Sequence, residues 1–139
     1  SLPRCSRRLL HIGVDRIAVS DLQCSCVVGI YSHERRRPQP LRVDIEMDVD
    51  LQPAASTEDC ARTVDYFAVA EQARFVVEAG RFQLLETAAQ SIARLLLAVP
   101  APDEQRASVQ AVRVTLSKPD ALAGSAVPSV SIWREANDE

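Results

Sequence analysis

Leu41, Val43, Ile45, Met47, Val49 and Leu51 alternate with Arg42, Asp44, Glu46, Asp48 and Asp50. This period of two predicts a long strand with one buried face and one wet, mostly acidic face. Upstream, the apolar stretches Leu9–Val19 and Cys24–Ile30 flank Ser20-Asp21. They read as one long strand, bent or bulged at the polar pair, or as a strand that re-enters the sheet after a turn. Residues 31–40 carry two prolines and no apolar period, and predict a polar loop. Residues 52–62 predict a polar connector. Tyr66, Val69, Ala70, Ala73, Val76 and Val77 recur at helical spacing, which predicts a helix from about Asp65 to Ala79, stopped by Gly80. Leu85, Ala88, Ala89, Ile92, Leu95 and Leu96 predict a second helix from about Leu84 to Val99, ended by Pro100 and Pro102. Val112, Val114 and Leu116 alternate with Arg113, Thr115 and Ser117 in a strand that ends at Lys118-Pro119. A last strand alternates Val130, Ile132 and Arg134 with Ser129, Ser131 and Trp133.

The order strand, strand, helix, helix, strand, strand implies an α+β domain. Two helices in one block pack most simply on one face of an antiparallel four-stranded sheet. The open edges of such a sheet invite pairing with a second copy, so a homo-oligomer that closes its sheets into a barrel is expected. No internal repeat is visible. One domain over residues 1–139 fits the length, with flexible tails at about 1–8 and 136–139.

Composition narrows the function classes. Hydrophobic residues make up 47% and charged residues 25%, with a net charge of −3, the balance of a soluble globular chain. Mild acidity argues against a general binder of nucleic acid or anionic membranes. No apolar run is long enough for a membrane helix, and the basic start lacks the apolar stretch of a signal peptide. A cytoplasmic location is the default expectation, and the missing initiator Met suggests a trimmed start. The four glycines, Gly13, Gly29, Gly80 and Gly124, cannot compose a phosphate-binding loop. No Gly-x-Ser-x-Gly supports a Ser-His-Asp triad. Two histidines, His11 and His33, and four cysteines, Cys5, Cys24, Cys26 and Cys60, show no zinc spacing. On a strand, Cys24 and Cys26 share one face and read as small, half-buried apolar residues rather than ligands or a disulfide.

Fifteen of the sixteen basic residues are Arg, and the exception is Lys118. Lys can lose its proton when desolvated, and Arg cannot, so Lys118 is a candidate base. Glu86 falls in the first turn of the second helix, where free N–H groups and the helix dipole favour a carboxylate. It could accept two parallel hydrogen bonds from an amidine-like edge. Tyr66 starts the first helix, and by residue type alone it reads first as a core aromatic with its hydroxyl at the rim. Glu34 lies beside Arg35, Arg36 and Arg37, and by residue type alone reads as a solvated acid neutralised by them.

Taken together, Gly29-Ile30-Tyr31-Ser32-His33-Glu34, Pro38-Gln39, Val64-Asp65-Tyr66, Leu84-Leu85-Glu86-Thr87 and Lys118-Pro119 resemble the dihydroneopterin aldolase family. The likeness runs from about residue 12 to 134, in order and on matching elements. It implies the T-fold, ββααββ subunits that close four-fold into a barrel as a tetramer or a stacked octamer, with sites at subunit interfaces. It implies no cofactor and no metal. The zinc-using relatives in that superfamily, such as pyruvoyl-tetrahydropterin synthase, need a His cluster that two histidines cannot supply. By position, Glu86 would anchor the 2-amino and N3 edge of a pterin, helped by backbone groups near Leu85. Lys118 would support proton removal from the side-chain hydroxyl of 7,8-dihydroneopterin, Glu34 would hold the polyol tail and a water, and Tyr66 of a neighbouring subunit would protonate the enol-like intermediate. The partners implied are a small pterin and further copies of the chain.

Two stretches depart from the pattern. Many members have Gly-aromatic-His-Gly in the first loop and Pro-Gly-His after the Lys-Pro, where this chain has Gly29-Ile30-Tyr31-Ser32-His33 and Ala123-Gly124-Ser125. Arg35-Arg36-Arg37 could instead meet a phosphorylated tail. The alternatives are therefore a dihydroneopterin triphosphate 2′-epimerase and a non-catalytic pterin-binding oligomer.

Overall fold

The computed structural model of the chain describes residues 15–104 and 106–136. Cys5, His11, the first part of the leading apolar stretch, the expected tail 1–8 and all but Ala136 of the expected tail 136–139 lie outside them. Four strands, β1 (Arg16–Cys26), β2 (Gln39–Asp48), β3 (Ala111–Ser117) and β4 (Ser129–Glu135), form one antiparallel sheet in chain order. A short helix α1 (Ser32–Arg36) joins β1 to β2. Between β2 and β3 come α2 (Gln52–Thr57), a 3-10 turn (Cys60–Arg62), α3 (Tyr66–Gly80) and α4 (Leu85–Leu97). The α+β sheet with two main helices is the architecture expected. Among the described residues, no helix is long and apolar enough to cross a membrane.

The first strand is bulged at the polar pair. Its register against β2 shifts between Val19 and Leu22, and Asp21 takes φ 60. The Asp21 N–H donates to Asp44 Oδ1 at 2.7 Å, so a β2 side chain accepts the amide that the bulge turns out of the ladder. The period-two strand begins at Gln39, two residues before the predicted Leu41, and ends at Asp48 rather than Leu51. Asp50 there accepts the Gln52 N–H at 3.1 Å and turns the chain into α2. The connector 52–62 is thus partly helical, with Pro53 in the first turn of α2, where its missing N–H costs nothing.

Leu41, Val43, Ile45 and Met47 of β2 are fully buried, as are Val114 and Leu116 of β3. Val69, Ala73 and Val77 of α3 pack over β1, and Ala88, Ala89, Ile92, Ala93 and Leu96 of α4 pack over β3 and β4. The alanines let α4 lie close to the sheet. Asp65 caps α3, accepting from the Phe67 N–H at 3.0 Å and the Ala68 N–H at 3.4 Å. Gly80 does not stop α3 as expected. It is the last helical residue, where a Cβ would collide with the Phe82 ring, and Arg81 takes the left-handed turn at φ 47. Cys24 and Cys26 do share a face, and they are buried in the core rather than half-exposed.

The other face of the sheet is charged. Asp48 meets Arg16 at 3.0 Å, Asp44 meets Arg42 at 3.7 Å, and Glu46 meets Arg113 at 4.0 Å. The acidic row of β2 is therefore half-buried among arginines rather than freely solvated, and Asp48 is buried.

Ile45 sits at the centre of the middle strand with no exposed surface. Ile45→Ala should lower unfolding stability by about 2–5 kcal/mol. Urea denaturation at fixed protein concentration measures it, and a loss under about 1 kcal/mol would contradict the packing described.

Candidate active site

The chain leaves β1 through the buried residues Val27 and Val28 and turns at Gly29, whose φ is +125. An L-residue rarely adopts that angle. A Cβ on Gly29 would also occupy the space of the Glu34 carboxylate. Glycine is needed here twice over, for the turn and for the carboxylate folded back on it.

Glu34 reaches that place because residues 32–36 coil into α1. The expectation of a plain loop missed this turn, because it lacks an apolar period and is held by polar groups. Glu34 Oε1 accepts the Tyr31 N–H at 3.3 Å at the start of the helix. Glu34 Oε2 accepts from Lys118 Nζ at 2.9 Å and from Gln39 Nε2 at 3.1 Å. The Gln39 amide also donates to the Val28 carbonyl at 2.9 Å and so ties the carboxylate to the end of β1. The side chains of Glu34 and Lys118 are 9% and 16% exposed, so this is a largely buried ion pair. Burial pushes the Glu34 carboxyl up. The hydrogen bonds from Lys118, Gln39 and the Tyr31 backbone, with the Lys118 charge, outweigh it and hold the group below the ordinary carboxylate range.

Lys118 follows the last residue of β3, and its N–H donates to the Pro128 carbonyl at 3.1 Å. Strand pairing thus fixes its backbone before the side chain turns toward Glu34. The pair borders a cleft of about 390 Å³ that also takes in Tyr31, Leu84, Leu85, Glu86 and Leu122. Leu85 is buried, whereas Glu86 in the first turn of α4 is exposed and has no side-chain partner among the described residues. Leu84 supplies no side-chain cap, so the first N–H groups of α4 stay open. Tyr31, Leu84 and Leu122 give the rim its apolar surface, and the Tyr31 ring lies parallel to His33 at 5.9 Å.

The fold thus gathers Glu34, Leu85, Glu86 and Lys118 around one cleft and leaves Tyr66 outside it. Tyr66 is 67% exposed at the start of α3. The Arg35–Arg37 run divides. Arg35 donates to three backbone carbonyls, whereas Arg36 and Arg37 border a second cleft of about 350 Å³ with Gln39 and Asp120. His33 stands at the surface, apart from the buried Cys24 and Cys26. Gln39 and Gly29 are the residues around the Glu34 carboxylate that residue-by-residue reading passed over. Both lie in the stretches that carry the family likeness, and what they do becomes visible only when the Glu34 carboxylate is placed. A roomier hollow of about 550 Å³ lies between the end of α4 and Arg134. Its polar pair joins a guanidinium to an amide, Arg134 Nε donating to Gln90 at 2.9 Å.

Glu34 has a lowered pKa in the fold, so it adds stability above the ordinary value of 4.5 and loses it as pH falls through the lowered value. Glu34→Gln should therefore be less stable than the unsubstituted chain from about pH 5 upward, and the gap should close below that. Urea melts at stepped pH measure it, and a gap that widens in acid would contradict the pairing.

The model of the family described as FolB, dihydroneopterin aldolase, matches residues 17–133. The dihydroneopterin aldolase of Streptomyces coelicolor is 37% identical over 108 residues, covering 78% of this chain and 85% of that protein. Among solved structures, Escherichia coli dihydroneopterin aldolase in complex with neopterin aligns with a TM-score of 0.76 and 37% identity, over 86% of this chain and 98% of that one. A Burkholderia dihydroneopterin aldolase bound to guanine aligns at 0.70 and 27%, over 91% and 98%. With its order of elements, its Glu34–Lys118 pair and its open α4 start, the chain belongs to the dihydroneopterin aldolase family.

Proposed function

We propose that the chain cleaves 7,8-dihydroneopterin by a retro-aldol reaction, and the observation that carries this is the Glu34–Lys118 pair facing Glu86 across one cleft. The Glu86 carboxylate accepts the 2-amino and N3 hydrogens of the pterin. Backbone groups at Leu85 meet the rest of that edge. A guanine ring carries the same amino-amide edge, which is the ligand of the Burkholderia relative. The apolar rim of Tyr31, Leu84 and Leu122 covers the flat ring.

The polyol tail then lies toward Glu34 and Lys118. Once Lys118 has released a proton to solvent, its free amine takes the proton of the 2′-hydroxyl through a water held by Glu34. The C1′–C2′ bond breaks, its electrons form a C6=C1′ bond as the C6=N5 pair moves onto N5, and C2′ leaves with C3′ as glycolaldehyde. Tyr66 of a neighbouring subunit gives a proton to C1′, yielding 6-hydroxymethyl-7,8-dihydropterin, a folate precursor. The ring's own C=N bond serves as the electron sink. The ionised Glu34 beside Lys118 keeps a charge-matched site for proton exchange.

A tetramer or octamer whose sheets close into a barrel brings Tyr66 to the site. Two observations support that assembly: β1 and β4 are open edges, and Tyr66 stands exposed outside the cleft of its own chain. Arg35 is committed to backbone carbonyls, and Arg36 and Arg37 share their cleft with Asp120, which favours an unphosphorylated tail over a triphosphate. The reaction belongs with a cytoplasmic enzyme and calls for no metal.

The test is incubation with 7,8-dihydroneopterin without added metal, followed by assay for glycolaldehyde and 6-hydroxymethyl-7,8-dihydropterin. Neither product, with epimerisation of the triphosphate instead, would overturn the reading. Lys118→Ala should lower kcat by about 10²–10⁴-fold and leave pterin binding nearly intact. Glu86→Ala should weaken pterin binding by about 1.5–3 kcal/mol, the worth of hydrogen bonds to a charged group. Co-assembling Lys118→Ala with Tyr66→Phe should restore activity in about a quarter of the sites, because random mixing rebuilds that fraction of interfaces. No recovery would place both residues in one subunit's site.

A further inference from the structure

Within its basic run, Arg35 is the residue whose guanidinium bonds backbone carbonyls. Nη1 donates to the Gly29 carbonyl and to the Phe82 carbonyl, each at 3.0 Å, and Nη2 donates to the Arg81 carbonyl at 2.7 Å. The Gly29 N–H also donates to the Phe82 carbonyl at 3.1 Å. One side chain therefore ties the turn after β1 to the turn between α3 and α4. Carbonyls just past a helix have no partner within it, and the negative end of the helix dipole favours a cation there. The guanidinium meets both needs at the end of α3.

The two turns it joins are the two halves of the cleft. Gly29 carries the Glu34 carboxylate folded over it, and Glu34 precedes Arg35 in α1. Two residues beyond Phe82, Leu84 begins α4, where Leu85 and Glu86 stand. We infer that Arg35 is a positioning residue that sets the spacing between the Glu34–Lys118 pair and the Glu86 anchor, so that a bound ring holds its tail against the pair. This rests on the reaction proposed above. A planar fork bonded to three carbonyls fixes distance and angle together, and a lysine ammonium at the same place would be a single flexible point. Arg35 touches neither ring nor tail, so its loss should misalign the two halves while each keeps its own groups.

The experiment uses the full chain with Arg35→Met. Pterin, which lacks the tail and touches only the Glu86 half, is titrated by its fluorescence to count sites and give Kd. Turnover of 7,8-dihydroneopterin is then expressed per pterin-binding site, so that lost folded protein drops out. Pterin Kd should change by no more than about threefold, and kcat per site should fall about 10- to 100-fold, the range expected for a misplacement of about 1 Å. Arg35→Lys should stay impaired, and Arg35→Ala should regain part of its kcat in millimolar guanidinium but not in equal urea. A kcat per site within about twofold of the unsubstituted chain, or equal factors lost in pterin Kd and kcat, would overturn the inference. Should Arg35→Met fail to fold, Arg35→Lys carries the same two measurements. If the unsubstituted chain itself does not cleave 7,8-dihydroneopterin, the proposed reaction fails rather than the role of Arg35.

Discussion

A carboxylate as buried as that of Glu34 is costly unless a cation and hydrogen-bond donors meet it. Lys118 supplies the charge from the end of β3, Gln39 an amide from the start of β2, and Tyr31 a backbone N–H from the start of α1. Gly29 supplies the empty space. Three separate segments, the Gly29–Tyr31 turn, the start of β2 and the end of β3, therefore have to be correctly placed before this one charge is tolerable. The sheet meets that demand. Because β2 and β3 pair from Arg42 with Ser117 down to Asp48 with Ala111, Lys118 emerges beside the start of β2 and not elsewhere. A slip of one residue in that register would turn Lys118 to the other face and leave Glu34 without its cation.

The same pairing accounts for the charged face of the sheet. Arg16, Arg42 and Arg113 stand on three different strands and meet Asp48, Asp44 and Glu46 of β2. Exposed pairs of this kind contribute little stability each, on the order of 0–1 kcal/mol. Their use lies elsewhere: they neutralise an acidic row that would otherwise repel itself along one strand. That leaves the apolar face, with its fully buried Leu41, Val43, Ile45 and Met47, to carry the cohesion of the domain.

Much of this was legible in the residues, and the unevenness is physical. Periodicity reports burial, so the elements with a strong burial contrast, β2, α3 and α4, were readable almost to their ends. The turn 32–36 was not, because a polar helix of five residues held by one capping carboxylate has no apolar rhythm to betray it. Glu34 suffered the same way. Beside three arginines it reads as neutralised by its neighbours. Its real cation lies 84 residues away, and the adjacent Arg35 points instead at backbone carbonyls. Local sequence cannot distinguish those two outcomes, since both satisfy the same charges. The likeness to a family singled out both Glu34 and Lys118, which the fold pairs, because it carries the outcome of folding, which single-residue chemistry does not.

Tyr66 marks where a single chain stops explaining itself. An exposed aromatic on the first turn of a helix is poorly justified by the stability of its own subunit. Phe67 and Phe75 on the same helix are exposed to a similar degree. Apolar area of that kind is tolerable in water when another surface covers it, and the open edges β1 and β4 are the places where a second copy can add strands. In the proposed reaction, assembly and catalysis would share one requirement. The Glu34–Lys118 pair is complete within one chain, because a buried charge cannot wait for a partner to arrive. Tyr66, proposed to return the proton to carbon, can come from a neighbour, because a neutral phenol can stand in water until an interface forms.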